Sequence, residues 1–268
     1  MTTAPLQLET IDVRVEDGVA ILTLDRPEKR NAINGQMHGD LATALDAIEA
    51  DPNVRALLLT ANGPSFCAGQ DLTEVAMARA DDSFRIDEHV RTTFNVLVLR
   101  LRALEMPVIA AMNGIAAGAG WSIALAADLR IAADDASFTQ AFSKIGLVPD
   151  TGSTWFLPEL IGTSRTLQLA YSGEVLDVDT ALSWGLVNEV VPADELLTRA
   201  TAVARELAAM PTRALAMTRR AVYAATTSTL EEALELEAQL QHVAAATHDH
   251  VEGVTAFLEK RTPNFTGS

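Results

Sequence analysis

Positive charge is scarce in this 268-residue chain, where 20 Lys and Arg stand against 36 Asp and Glu for a formal net charge of −16. An acidic surface repels polyphosphate and no polybasic run offsets it, so nucleic acid is not an expected partner. Cysteine is nearly absent. Cys67 stands alone and can form no intrachain disulfide, which suits a reducing compartment. Residues 1–10 lack a basic stretch followed by an apolar one, so no secretory leader is read there and the cytoplasm is the expected location. What the chain has in quantity is apolar surface: at 49% hydrophobic over this length it can pack a sizeable core, which excludes a disordered polymer.

Val108 to Ala127 carries no charge over 20 residues, long enough for a membrane span, and Gly114 and Gly118 have the GxxxG spacing of packed membrane helices. Pro107 precedes the run, Asn113-Gly114 is a turn signal inside it, Gly120 loosens it further, and no Lys or Arg cluster flanks it. A strand, a turn and a buried helix use the same residues better, so no membrane contact is expected.

The remaining pattern predicts an α/β fold. Ile11, Val13 and Val15, then Asp17-Gly18, then Val19 to Leu24 read as a hairpin. Met37, Leu41, Ala44, Leu45 and Ile48 mark one face of a helix, as do Phe94, Leu97, Val98, Leu101 and Leu104. Arg55–Thr60, Val108–Met112 and Leu129–Ala132 are short apolar runs with the length of buried strands, and Trp121–Ala127 is apolar all round, as an interior helix is. Residues 137–152 read as strand and loop. Strand, loop and helix recur three times, which argues for strands buried on both sides. Beyond Trp155 the segments 163–171, 177–185, 194–210, 212–225 and 229–260 are rich in Ala, Leu and Glu and predict helices, with apolar surface left over either to close the core or to bury a subunit contact.

Two loops follow buried strands and are built of small residues: Ser65-Phe-Cys-Ala-Gly-Gln-Asp71 and Asn113-Gly-Ile-Ala-Ala-Gly-Ala-Gly-Trp121. Small residues permit tight turns and close packing. They also let backbone N–H groups approach a ligand, and two such groups aimed at one carbonyl oxygen make an oxyanion hole. A dinucleotide fingerprint is excluded, since Gly118-Ala-Gly120 has no third glycine at Ile123.

These loops, together with Arg26–Ile33, Gly146-Leu-Val-Pro-Asp150 and Glu252–Arg261 in the same order, resemble the enoyl-CoA hydratase/isomerase, or crotonase, family over nearly the whole chain. The resemblance implies a spiral of ββα units over residues 1–205 and a helical C-terminal region, 206–268, that assembles trimers or dimers of trimers. It implies a coenzyme A thioester as substrate and no separate cofactor or metal. It also implies an oxyanion hole from the backbone N–H groups of Gln70 and Ala119, with Gly69, Asp71 and Gly118 beside it as substrate-binding residues. Ala68 and the Lys29–Ala32 segment would line the coenzyme A channel, Arg26, Lys29 and Arg30 would supply positive charge for its phosphates, and Phe257 and Lys260 resemble residues that approach its adenine end, commonly from a neighbouring subunit.

The departures from the family pattern narrow the chemistry. Hydratases of the family hold a water between two glutamates, and at those places this chain has Ser122 and Phe142. Syn addition of water needs a base and an acid, so simple hydration is disfavoured. Asp150 remains, at a position where isomerase branches carry the carboxylate that moves protons along the acyl chain; a helix cap is the alternative role for a loop Asp. Phe142 in place of a glutamate makes the pocket drier. Within the family these residues most resemble the isomerase branch of phenylacetate degradation, which turns a ring epoxide into an oxepin and also shifts enoyl double bonds. Two other functions compete: hydration or dehalogenation by a relocated base on the same scaffold, and a catalytically silent coenzyme A-binding homologue.

The other constellations predict less. His248 and His250 point about 200° apart on a helix and do not suggest a metal site. Cys67 is expected to be a packing residue and His89 to face solvent ahead of a helix, while Asn264-Phe-Thr266 is a glycosylation sequon without meaning in the cytoplasm.

Overall fold

The computed structural model describes residues 8–78 and 83–268. The first seven residues of the leader reading, and positions 81 and 82, lie outside the described residues.

The hairpin signal is realised as β1 (Ile11–Glu16) and β2 (Val19–Leu24), antiparallel with Ile11 opposite Leu24. Asn34 then caps α1 (Gly35–Ala50) through its side chain, and Met37, Leu41, Ala44, Leu45 and Ile48 form its buried face. From here two strands and a helix alternate three times. The units are β3 (Ala56–Ala61), β4 (Ser65–Cys67) and α2 (Leu72–Ala78); β5 (Val108–Met112), β6 (Ile115–Ala117) and α5 (Ala119–Leu125); and β7 (Leu129–Ala133), β8 (Ser137–Thr139) and α6 (Ser153–Ser172). Two further helices, α3 (Ile86–Thr92) and α4 (Phe94–Ala103), join the first unit to the second. The first strand of each unit enters a six-stranded sheet and the second a four-stranded one, so the chain spirals between two sheets. β3, β5 and β7 run parallel in the larger sheet, and every residue of β3 and β5 is buried.

The uncharged run 108–127 is therefore strand, turn, strand and helix, and all seven residues of α5 are buried. No helix among the described residues is long and apolar enough to cross a membrane. Residues 153–172 form one longer helical element than the 163–171 expected, bent at Gly162. After it, β9 (Val175–Asp177) completes the small sheet, α7 (Val178–Ser183) follows, and β10 (Glu189–Val191) completes the large one.

The C-terminal helices are α8 (Leu196–Ala208), α9 (Thr212–Ala225), α10 (Leu230–Ala245) and α11 (His248–Glu259). α8 buries Leu196, Ala200, Ala204 and Ala208 in the core, so position 205/206 falls inside a core helix and the chain leaves the sheet only near Pro211. The 229–260 segment is two helices rather than one, because Thr247 caps a new start by accepting from the His250 N–H. Two arginines bind this region to the core. Arg55 donates to Thr212 Oγ1 and to the carbonyls of Phe265 and Met210, and Arg219 pairs with Asp128 at 2.7 Å while donating to the carbonyls of Leu101, Arg102 and Leu104.

Candidate functional site

The segment after β2 builds one wall of the site. Arg30 and Asn31 adopt left-handed backbone, with φ of 53° and 54°, a conformation that Asn tolerates well. This turns the buried Asn31 amide inward, where it donates to the carbonyls of Asn62 and Ser65 and accepts from the Arg26 N–H. The following residues run beside the first small-residue loop as a short parallel bridge. Ala68 N–H donates to Arg30 O, Ile33 N–H to Gly69 O, and Asp71 N–H to Ile33 O. A parallel bridge of this kind uses the peptide groups on either side of Gln70, so the N–H of Gln70 itself points away from the bridge.

The second loop packs directly onto the first. A Cβ on Gly120 would lie 2.4 Å from Cys67 O and 2.6 Å from Cys67 Sγ, so only glycine lets the start of α5 approach the end of β4. Gly69, at φ +88°, faces the same contact from the other side, where a Cβ would lie 2.9 Å from Ala117 O and 3.2 Å from the Ala119 nitrogen. Gly118 takes a conformation suited to glycine, with φ 51° and ψ −125°, and its carbonyl accepts from Ser122 N–H and Ser122 Oγ–H, so Ala119 is the first residue of α5 and its N–H lies ahead of the first intrahelical bond.

Both loops open on one cavity of about 320 Å³, lined by Ala68, Gly69 and Gln70 on one side, by Gly118, Ala119 and Phe142 on another, and by Asp150. The rest of its wall is largely apolar and comes from α2, α3, the start of α4 and the segment after β8, through Leu72, Val75, Ile86, Val90, Phe94 and Leu147 among others. Asp150 is half-buried. Burial raises its pKa above the ordinary aspartate value, against the opposing effects of a 2.7 Å hydrogen bond from Thr151 Oγ1 and of the nearby His89. Thr151 is itself buried in left-handed backbone, φ 55°, unusual for a β-branched residue, so the chain at Asp150 is strained. The Asp150 carbonyl is bound by Ser153 N–H and Oγ–H, which fixes the backbone without engaging the carboxylate.

The structure brings Ala68, Gly69, Gln70, Gly118, Ala119, Phe142 and Asp150 to one cavity, and places other expected site residues elsewhere. Arg26 and Asp71 differ from expectation: they form an ion pair at 3.2 Å, with both side chains only 14% exposed. Arg26 also donates to Ala32 O, and Asp71 accepts from Thr73 N–H at the start of α2. They brace the two sides of the loop against each other, so their charges are engaged within the protein. Lys29 and Arg30 are exposed beside Ala68. Phe257 and Lys260 lie on and just after α11, away from this cavity, with Phe257 on the wall of a separate surface hollow.

His89 corrects the solvent-facing expectation. It lines the cavity and its Nε2 lies 2.7 Å from Gln70 Oε1. Ile86, His89 and Val90 have i, i+3, i+4 spacing, a helical signal obscured by the charges of Asp87, Glu88 and Arg91. Cys67 is wholly buried. Its S–H donates to Asn31 O, and burial pushes its thiol up to about 12, as expected of a packing residue rather than a nucleophile. Among the described residues no three of His, Cys, Asp and Glu converge as a metal site requires.

Residues 14–268 match the model of the enoyl-CoA hydratase/isomerase family. Over 260 residues the chain is 45% identical to the 1,2-epoxyphenylacetyl-CoA isomerase of Escherichia coli K12, covering 97% of this chain and 99% of that protein. It is 40% identical to a protein of Rhodobacter capsulatus named "Probable enoyl-CoA hydratase", with 98% and 100% covered. The crystal structure of enoyl-CoA hydratase from Bacillus anthracis superposes with a TM-score of 0.90 at 32% identity, over 97% of this chain and all of that one.

Proposed function

The chain belongs to the enoyl-CoA hydratase/isomerase family, and from that premise we propose that it isomerises a coenzyme A thioester, with Asp150 as the proton carrier and the N–H groups of Gln70 and Ala119 as the oxyanion hole. The carrying observation is that one carboxylate, its pKa raised by burial, shares a mostly apolar cavity with Gln70 and Ala119, whose N–H groups take no part in the bonds between the neighbouring loop segments.

In a double-bond shift, Asp150 takes a proton from the carbon next to the conjugated system, the thioester oxygen becomes an enolate held by the two N–H groups, and the same carboxyl returns the proton two carbons away. Nothing is added or lost, so no cofactor is invoked beyond the coenzyme A that the substrate carries. A positioned base contributes about 10²–10⁴-fold and one oxyanion donor about 2.7–4 kcal/mol, so base and hole are comparable terms. A raised pKa suits a group that must both accept and return a proton near neutrality.

The apolar wall with Phe142 in it accommodates an aromatic-derived acyl group, and the name of the Escherichia coli relative favours ring-epoxide to oxepin conversion in phenylacetate degradation. Exposed Leu230, Leu234, Val243, Val251, Val254 and Phe257 on α10 and α11 support assembly of this region into a trimer or a dimer of trimers. In such an assembly Phe257 and Lys260 would serve a neighbour's coenzyme A while Lys29 and Arg30 serve their own. The reading places the enzyme in the cytoplasm, with no nucleic-acid or membrane partner.

The runner-up, hydration by a relocated base, is opposed by Ser122, whose hydroxyl is engaged by Gly118 O, and by the phenyl ring of Phe142 on the cavity wall. The test is to supply β,γ- and α,β-unsaturated thioesters to the wild type and to Asp150→Asn. Double-bond migration by the wild type, lost in Asp150→Asn with coenzyme A thioester binding intact, supports the proposal. A hydroxyacyl product without migration, or unchanged turnover by Asp150→Asn, overturns it.

A further inference from the structure

Gln70 enters the reading above through its backbone, yet its side chain is also clamped, and the clamp comes from a different element. The amide Nε2 donates to Ile33 O at 3.1 Å and more weakly to Asp71 O at 3.4 Å. Carbonyl oxygens only accept, so these two contacts fix the amide with Oε1 turned the other way, toward His89. An amide oxygen also only accepts, so the His89 Nε2 that lies 2.7 Å away carries the proton and donates it.

The His89 ring is seated by aromatic neighbours. Its centroid lies 6.0 Å from Phe84 and 6.1 Å from both Phe94 and His38, with near-perpendicular contacts to the latter two, and Thr93 Oγ1 donates to the His89 carbonyl. His38 is held neutral, its pKa down to about 4 through burial and the neighbouring His89, so it offers no charge to pull the ring away.

We infer that His89 is a positioning residue for the oxyanion hole: its Nε2–H, donated to Gln70 Oε1, locks the Gln70 amide so that the Gln70 backbone N–H stays aimed into the cavity, and it ties α3 to the loop that stabilises the enolate. The inference rests on the oxyanion reading of Gln70 and adds a residue that acts through it. Three contacts hold the one side chain, from the carbonyls of Ile33 and the adjacent Asp71 and from His89 on α3. Removing the α3 contact leaves Oε1 without its partner, and an unpaired acceptor turns the amide toward water. Because Ile86 and Val90 on the same helix line the acyl cavity, an acyl group that seats α3 also seats the oxyanion donor.

The test uses His89→Phe, which keeps a ring and loses the donor, and His89→Gln, whose amide Nε2 can replace it. Gln70→Leu removes the acceptor, so that the same link is cut from the other side should His89→Phe fold poorly. The direct probe is hexanoyl-CoA labelled with ¹³C at the thioester carbonyl, which is saturated and cannot isomerise. Its bound carbonyl stretch in wild type should lie below the free value. His89→Phe and Gln70→Leu should each lose most of that shift, with kcat down about tenfold and KM within about twofold, and His89→Gln should restore both. A full wild-type shift in His89→Phe, or equal losses in His89→Phe and His89→Gln, overturns the role of His89 while leaving the oxyanion hole standing. Absence of the shift in wild type overturns the oxyanion hole itself, and the inference with it.

Discussion

Replacing Gly69 by alanine disturbs the oxyanion hole at the contact between its two loops. Gly69 sits at φ +88°, where an L side chain costs about 1–2 kcal/mol. The new Cβ would also stand 2.9 Å from Ala117 O and 3.2 Å from the Ala119 nitrogen, too close to backbone to fit, so the loop that carries the Ala119 N–H must shift away from its place beside Gln70. Losing one donor is worth about 2.7–4 kcal/mol, a fall of about 10²–10³ in kcat. Gly185 is the control. Its φ is +78°, but nothing lies within 4 Å of a Cβ built there, so Gly185→Ala carries the strain without the obstruction. Both variants should lower Tm, by roughly 2–4 °C per kcal/mol for a chain of about this size. Turnover, followed as the absorbance of the conjugated product from a β,γ-unsaturated thioester, should collapse only in Gly69→Ala. Wild-type turnover in Gly69→Ala, or an equal loss in Gly185→Ala, would refute the reasoning, the first by showing that the Ala119 N–H is not used and the second by showing that the assay reports stability.

Two further outcomes follow from the site. Thr151→Val keeps the shape and branching at the strained position but removes the hydrogen bond that favours the ionised form of Asp150, so the pKa of Asp150 should rise further. Since proton abstraction needs the carboxylate, the acid limb of the kcat/KM profile should move to higher pH in Thr151→Val, and an unmoved limb would show that another group sets it. Cys67, buried and with its thiol held at about 12, should resist iodoacetamide at pH 8 in the folded protein and react fully after unfolding in denaturant, as mass spectrometry of the alkylated chain can show; rapid labelling of the native state would contradict the packing around β4.

The parts of the fold that were legible in the sequence are those whose burial is uniform or strictly periodic. β2, β3 and β5 are buried from end to end because neighbours cover both faces, with only Thr23 and Thr60 interrupting their apolar runs, and α1 repeats its buried residues at helical spacing over three turns. The short strands were not legible. β4, β6, β9 and β10 have three residues each, too few to show a period, and their existence is decided by pairing with partners distant in sequence. The same holds for the site. Asp150 and the two glycine-rich loops stand out locally, as a carboxylate before a helix and as small residues after strands. Arg26 and Asp71 looked like separate binding residues because their ion pair joins positions 45 apart. His89 was hidden for a related reason: α3 is polar on its outer face, and only the folded chain shows that its inner face closes the acyl cavity on Gln70.

The central claim is that Asp150 and the two backbone N–H groups address the same acyl group from different sides. The most direct test is a crystal structure of the protein with a non-isomerisable acyl-CoA bound. The account predicts the thioester oxygen within about 3 Å of both the Gln70 and Ala119 nitrogens, and an Asp150 carboxylate oxygen roughly 3–3.5 Å from the acyl carbons that exchange protons. A thioester oxygen bound elsewhere, or an Asp150 carboxylate turned away from the acyl chain, would contradict it.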